Sequence, residues 1–154
     1  MLPKSFIETI SKTEEDTSFI AKKLSKCLQK QDVILFYGDV GAGKTVFARA
    51  LIRALYQNEA MEVVSPTFTL VNVYDQKTPH IWHFDLYRIK HEDEIYELGW
   101  DEALTSDIML VEWAEKLIQN IPENALSIHF KTDGRNRILS FYGNEECQKR
   151  ISDL

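Results

Sequence analysis

Long hydrophobic runs are missing from this sequence: the longest are about five residues, against the ~18 or more that a membrane-spanning helix requires. The N-terminus likewise has no long apolar core after its single lysine. A soluble, cytoplasmic chain that avoids membranes is the expectation. Cysteine is scarce. Cys27 and Cys147 stand far apart, without C-x-x-C or Cys/His ligand spacing. This argues against a zinc site and a disulfide framework and leaves two reduced, structural thiols. Positive charge is in deficit as well: 18 Lys and Arg against 24 Asp and Glu give a net charge of −6 and a pI near 5.2. A surface that grips nucleic acid by itself is usually basic, so strong independent binding of that kind is not expected, although a local patch could still exist. The basic residues are scattered and form no polybasic arm. Repeats, low-complexity tracts and linkers are also missing. With 154 residues, 44% of them hydrophobic, the chain can build one core and is too short for two, which makes residues 1–154 a single domain.

What is present is concentrated at Gly38-Asp39-Val40-Gly41-Ala42-Gly43-Lys44-Thr45, which fits G-x-x-x-x-G-K-[ST]. Three glycines in six residues let the backbone turn its N–H groups inward as an anion nest leading into a helix N-terminus. In such a cradle the backbone of Gly41, Ala42 and Gly43 faces phosphate, Lys44 reaches the β- and γ-phosphates, and the Thr45 hydroxyl ligates Mg²⁺. The setting matches: Val33–Tyr37 reads as a buried strand before the loop, and Val46–Tyr56 reads as a helix with Phe47, Leu51, Ile52 and Leu55 on its core face.

The remaining pattern predicts a three-layer α/β sandwich of the P-loop NTPase kind, with a mixed, mainly parallel sheet and antiparallel hairpins. Capping-box spacing around Thr13 opens a helix over Glu14–Gln29, with Ile20, Leu24, Cys27 and Leu28 at helical spacing. A segment placed there can border the adenine of a nucleotide, through Ser11 or Thr13. Met61–Val64 reads as a short strand broken by Ser65-Pro66-Thr67, where proline removes a ladder donor. Phe68–Tyr74 and His80–Leu86 form a hairpin around the turn at Asp75–Pro79. His91–Leu98 is a short acidic helix stopped by Gly99, Trp100–Leu104 a second short helix, and Ile108–Val111 a strand covered on both faces. Ala125–Thr132 and Arg137–Tyr142 flank a second hairpin turn, and Asn144–Leu154 is a terminal helix.

Phosphoryl chemistry on a P-loop also needs a carboxylate at a strand end to position Mg²⁺ and a group to orient the attacking water. Two strands end suitably, in Asp85 and in Glu112, and their spacing leaves open which does which. Ser65 and Thr67 place two hydroxyls on a rigid turn where switch segments reach the γ-phosphate, a position that an ordinary Ser-Pro turn would also fill. Arg88 either neutralises developing charge or pairs with Glu92, Asp93 and Glu94. The histidines at 80, 83, 91 and 129 share no ligand spacing; His83 is expected to pack near Asp85, and a surface or core role is expected for all four.

Together, the P-loop, Ser65-Pro66-Thr67-Phe68-Thr69-Leu70-Val71, His83-Phe84-Asp85-Leu86-Tyr87-Arg88, Glu97-Leu98-Gly99 and Val111-Glu112-Trp113-Ala114-Glu115 resemble, in order and spacing, the bacterial TsaE (YjeE) family. Its members are small P-loop ATPases required, with TsaB, TsaC and TsaD, for the threonylcarbamoyl modification of the adenosine beside the tRNA anticodon. The resemblance covers about Thr13 to Arg137. It implies ATP and Mg²⁺ as cofactors, Thr45 and Glu112 as metal ligands, Lys44 and Asp85 as catalytic residues, and Ser65 and Thr67 as switch residues. Gly134-Arg135 matches a Gly-Arg pair that borders the nucleotide in the family. Val46 departs from it, since many members carry a second threonine there; the secondary phosphate contact is what this touches. The implied partners are the TsaD and TsaB proteins, with tRNA met through that complex. Two other readings compete: a small-molecule or nucleoside kinase, for which an Arg-rich lid is lacking, and a GTPase, for which N-K-x-D is lacking.

Overall fold

The computed structural model describes residues 4–152 and Leu154. The strands are β1 (Ile7–Ser11), β2 (Val33–Tyr37), β3 (Val71–Tyr74), β4 (Ile81–Asp85), β5 (Ile108–Glu112), β6 (Leu126–Asp133) and β7 (Asn136–Tyr142). They form one sheet in the order β1-β7-β6-β2-β5-β4-β3. The four middle strands, β6, β2, β5 and β4, run parallel. The flanks are antiparallel, with β7 on β6, β1 on β7, and β3 on β4. Sequence accounts for this division. Val33-Ile34-Leu35-Phe36 and Ile108-Met109-Leu110-Val111 are apolar throughout and buried on both faces, as parallel strands must be. In β6, buried residues alternate with more exposed ones, the pattern of a strand with one wet face.

Helices α1 (Glu14–Ser25), α2 (Lys44–Leu55) and α4 (Glu145–Ile151) cover one face, packing Leu24, Phe47, Leu51 and Ile151 over Ile34, Phe36, Leu110 and Ile128. The opposite face is covered by helix α3 (Trp100–Ser106) and two 3₁₀ segments, Glu92–Leu98 and Ala114–Lys116, through Ile95, Trp100 and Ala114 on Leu35, Phe84 and Val111. The architecture is thus the expected three-layer α/β sandwich, parallel in the middle of the sheet.

Several boundaries differ from the sequence reading, each for a local reason. Strand β1, unread in the sequence, exists because the β6–β7 hairpin presents an edge to which Ile7–Ser11 adds. Met61–Val64 is not a strand. Its carbonyls are taken by side chains instead, with Arg53 Nε donating to Met61 O at 2.8 Å and Asn72 Nδ2 to Val64 O at 2.9 Å. β3 starts at Val71 rather than Phe68, because Leu70 adopts a left-handed φ of 69° and its N–H closes a turn onto Pro66 O at 2.7 Å. Helix α1 ends at Ser25, short of Gln29, as the Lys26 and Cys27 N–H groups tighten onto the carbonyls of Lys23 and Leu24. Helix α2 begins two residues early, at Lys44. The acidic segment before Gly99 is 3₁₀ rather than α, and the terminal helix spans Glu145–Ile151, with Asp153 outside the described residues.

Candidate active site

The site lies where β2, β4 and β5 end side by side. Across the ladders Phe36 faces Glu112, and Glu112 faces Asp85. The loop leaving β2 follows directly. Gly38 has φ 142° and approaches β6 so closely that a Cβ would sit 2.6 Å from the Phe130 carbonyl oxygen, so no other residue fits. Gly43, at φ 104°, leads into α2, whose first turn carries no acidic residue. The N–H groups of that turn have no intrahelical acceptor, and the helix dipole adds positive potential, so an anion is favoured there.

Lys44 opens the helix and is nearly buried, 5% exposed. Its ammonium donates to the Gly38 carbonyl and rests 3.6 Å from the centre of the Trp113 ring. Burial pulls its pKa below that of a free lysine, against the opposing field of Glu115, Glu112, Asp85 and Asp39. Trp113 reaches this position through a left-handed φ of 57° immediately after β5. Extended-strand alternation past Glu112 therefore does not apply to it; the chain has already turned, and the ring packs on Lys44 and on Tyr87, 4.9 Å centre to centre. From the same turn, Glu115 accepts the Gly38 N–H at 2.9 Å.

The Thr45 hydroxyl donates to Glu112 Oε1 at 2.6 Å, and Glu112 Oε2 lies 2.6 Å from His83 Nε2. Burial alone would raise the Glu112 pKa; the His83 hydrogen bond and charge, then Thr45 and Lys44, reverse this and hold it below the usual glutamate value. A hydroxyl and a carboxylate oxygen in contact at the foot of a phosphate cradle are hard donors suited to Mg²⁺, so these two residues fit that ion. Asp85, beside them, has a pKa raised by burial and by the Glu112 charge, against hydrogen bonds from the Tyr87 N–H at 2.9 Å and the Thr67 hydroxyl at 3.3 Å. The Ser65 and Thr67 hydroxyls are 2.7 Å apart, and the Asp85 N–H donates to Leu70 O at 2.9 Å, so the Ser65–Leu70 turn is docked on Asp85 by both backbone and side chain.

The other sequence-selected residues gather on the far side of the loop. Thr13, Gly41, Gly43, Val46 and Arg135 line a cavity of about 260 Å³. Ala42, within the loop, is buried. A larger cleft, about 650 Å³, lies between α1 and α2 and touches no P-loop residue. Thr13 caps α1, its hydroxyl accepting the Asp16 N–H at 3.1 Å. Ser11 also lines the cavity but is buried, with its hydroxyl 2.6 Å from that of Thr17, whereas Thr13 is exposed. Among the described residues Arg88 forms no ion pair with Glu92, Asp93 or Glu94: its guanidinium stacks 4.4 Å from the Phe68 ring centre, while Glu92 and Glu94 accept backbone N–H groups.

Sequence reasoning gave no site role to Glu115 or Arg137, and it put His83 near Asp85 without finding its contact with Glu112. Arg137 donates to Gly41 O at 3.2 Å and ties the loop to β7. His83 had a usable signal, since it lies two residues before Asp85 on one strand and therefore on the same face. Glu115 had none.

A strand, a glycine-rich loop and a helix set against two strand-end carboxylates in this order match a known family. The family model for "Threonylcarbamoyl adenosine biosynthesis protein TsaE" matches residues 11–139. The chain belongs to the TsaE family. Proteins named tRNA threonylcarbamoyladenosine biosynthesis protein TsaE are among its relatives. That of Rickettsia conorii is 36% identical over 143 residues, covering 92% of this chain and 81% of the relative. That of Bacillus subtilis is 36% identical over 121 residues, 78% of this chain and 74% of the relative. The crystal structure of Bacillus subtilis YdiB superposes with a TM-score of 0.78 at 26% identity, covering 96% of this chain and 91% of that one. Membership in this family accounts for the ordered motifs read from the sequence.

Proposed function

We propose that this chain is a Mg²⁺-dependent ATPase of tRNA threonylcarbamoyladenosine biosynthesis, acting on a complex of TsaB and TsaD and meeting tRNA only through that complex. The observation that carries the catalytic reading is the contact of Thr45 with Glu112 under the P-loop, with Asp85 in register beside them. Family membership supports the pathway.

In this reading the N–H groups of the loop and of the first turn of α2 bind the phosphates. Lys44 exchanges the Gly38 carbonyl and the Trp113 face for the β- and γ-phosphates, trading a cation–π contact of about 0.5–2 kcal/mol for charge-assisted hydrogen bonds to an anion. Thr45 and Glu112 hold the metal, which neutralises charge on the phosphate oxygens. Asp85 orients the attacking water and takes its proton. Burial serves that role, because a carboxylate with a raised pKa is a better base than an exposed one. Ser65 and Thr67, docked on Asp85, sense the γ-phosphate, and Thr13, Val46 and Arg135 line the side that receives the nucleoside. The missing N-K-x-D motif favours adenine over guanine.

The test is ATP turnover with and without purified TsaB and TsaD. Turnover should require both proteins and be abolished by Lys44→Ala with the fold retained. Wild-type turnover by Lys44→Ala, or turnover indifferent to TsaB and TsaD, would overturn the reading.

A further inference from the structure

We infer that His83 is a positioning residue for the metal end of the site: its imidazole holds the Glu112 carboxylate in the orientation that offers Oε1 to Thr45 and to a divalent cation. The inference rests on the Mg²⁺–nucleotide reading above and adds a residue to it.

The geometry divides Glu112 between two neighbours. Oε1 accepts from Thr45 at 2.6 Å, and Oε2 lies 2.6 Å from His83 Nε2. Both side chains are closed to solvent, His83 at 0% and Glu112 at 2% exposure. A carboxylate buried to this degree needs hydrogen bonds on both oxygens, or its charge is disfavoured. Thr45 can serve only one of them. With Nε2–H donating to Oε2, the second oxygen is occupied and the carboxylate cannot swing about its χ3, so the lone pairs of Oε1 remain directed at the loop.

His83 has no competing polar duty. Among the described residues its Nδ1 has no hydrogen-bond partner, and the hydrogen bond of its Nε2 goes to Glu112. A leucine or phenylalanine would fill the space with no polar atom to desolvate, so a packing role does not explain an imidazole here. Topology explains why the contact forms. His83 and Asp85 point to the same face of β4, and the adjacent parallel strand β5 ends in Glu112, so the histidine sits one step behind the carboxylate pair and reaches it from the buried side. Hydrogen bonds to ligating carboxylates orient them, and removing such a bond weakens metal affinity by roughly 10–100-fold.

The experiment measures Mn²⁺ binding to the ADP-loaded protein by loss of the free-ion EPR signal, which requires no turnover. The His83→Leu variant should weaken Mn²⁺ by roughly 10–100-fold, with metal-free ADP affinity, measured by calorimetry in EDTA, unchanged within about twofold. Two polar variants keep the test decisive if that one fails to fold. Gln places its amide nitrogen near the Nε2 position and should restore most of the affinity, whereas Asn reaches only the Nδ1 position and should behave like Leu. Wild-type affinity in a folded Leu variant, or equal affinity in the Gln and Asn variants, overturns the role of His83. If the wild-type ADP complex binds Mn²⁺ no better than free ADP does, the metal reading itself fails and this inference falls with it.

Discussion

The ends of β4 and β5 lie side by side, Asp85 opposite Glu112, each at most 4% exposed, yet the two carboxylates are shifted in opposite directions. Asp85 is raised above an ordinary aspartate and Glu112 lowered below an ordinary glutamate. Burial pushes both upward, so desolvation is not what separates them. The partners do. Glu112 has His83 on one oxygen, Thr45 on the other and Lys44 nearby, while Asp85 has one backbone N–H, one longer hydroxyl contact and the negative charge of Glu112. Two acids at one strand-end level can thereby hold different tasks, one kept charged as a cation ligand and the other primed to accept a proton.

The most severe way to break this division is to remove each charge while keeping its shape. Asp85→Asn should slow ATP turnover with TsaB and TsaD by roughly 10²–10⁴, the range for a lost general base, and leave Mg²⁺–ATP binding intact. Glu112→Gln should lose metal-dependent affinity as well. Titration calorimetry with Mg²⁺–ATP on both variants decides it, because matching binding defects would mean the two acids share one role.

A smaller effect appears in stability, with opposite signs. A carboxylate whose folded pKa is raised binds its proton more tightly in the native state, so wild-type stability falls as pH climbs from the ordinary aspartate range through the folded value. Asp85→Asn should therefore melt higher than wild type at neutral pH, and the gain should vanish in acid, where Asp85 is protonated. Glu112 works the other way. Its lowered pKa contributes stability above the ordinary glutamate range, lost as pH falls through the folded value, so Glu112→Gln should melt lower at neutral pH and converge on wild type in acid. At this chain length about 1 kcal/mol moves Tm by roughly 2–4 °C, which resolves the two variants in thermal scans from about pH 2 to pH 8, a range that passes below the ordinary carboxylate values. Shifts of the same sign in both would remove the contrast.

The finest test moves the cation that both acids share. Lys44 lies against the Trp113 ring, so phosphate binding should draw the ammonium off the indole and change its emission. Trp100 is buried in the core and Trp82 donates to Asp107 Oδ2 at 2.9 Å, so replacing those two would disturb the fold. The cleaner comparison is wild type against Trp113→Phe, in which a nucleotide-dependent change should disappear. An unchanged signal in wild type, with calorimetry showing that ADP or a non-hydrolysable ATP analogue binds, would mean that Lys44 keeps its place on the ring.

Features that depend on neighbouring residues were open to the sequence. The anion-binding loop follows from glycine spacing, the covered strands from unbroken apolar runs, the cap of α1 from Thr13, and the two candidate acids from the residues on which apolar strands stop. These are local matters of backbone freedom, side-chain period and turn chemistry. What tertiary structure alone decided needs separate segments brought together. Register across the β4–β5 ladder put Asp85 beside Glu112, and the same register carried His83 to the second oxygen of Glu112. A left-handed residue at Trp113, which local preference would not select, folded its ring over Lys44. The edge offered by β7 made a strand of Ile7–Ser11, and arginine and asparagine side chains took the carbonyls that would have made one of Met61–Val64. In each case the deciding hydrogen bond or contact joins residues from separate segments, eight apart around Met61–Val64 and much farther elsewhere, and its energy belongs to the fold rather than to either segment.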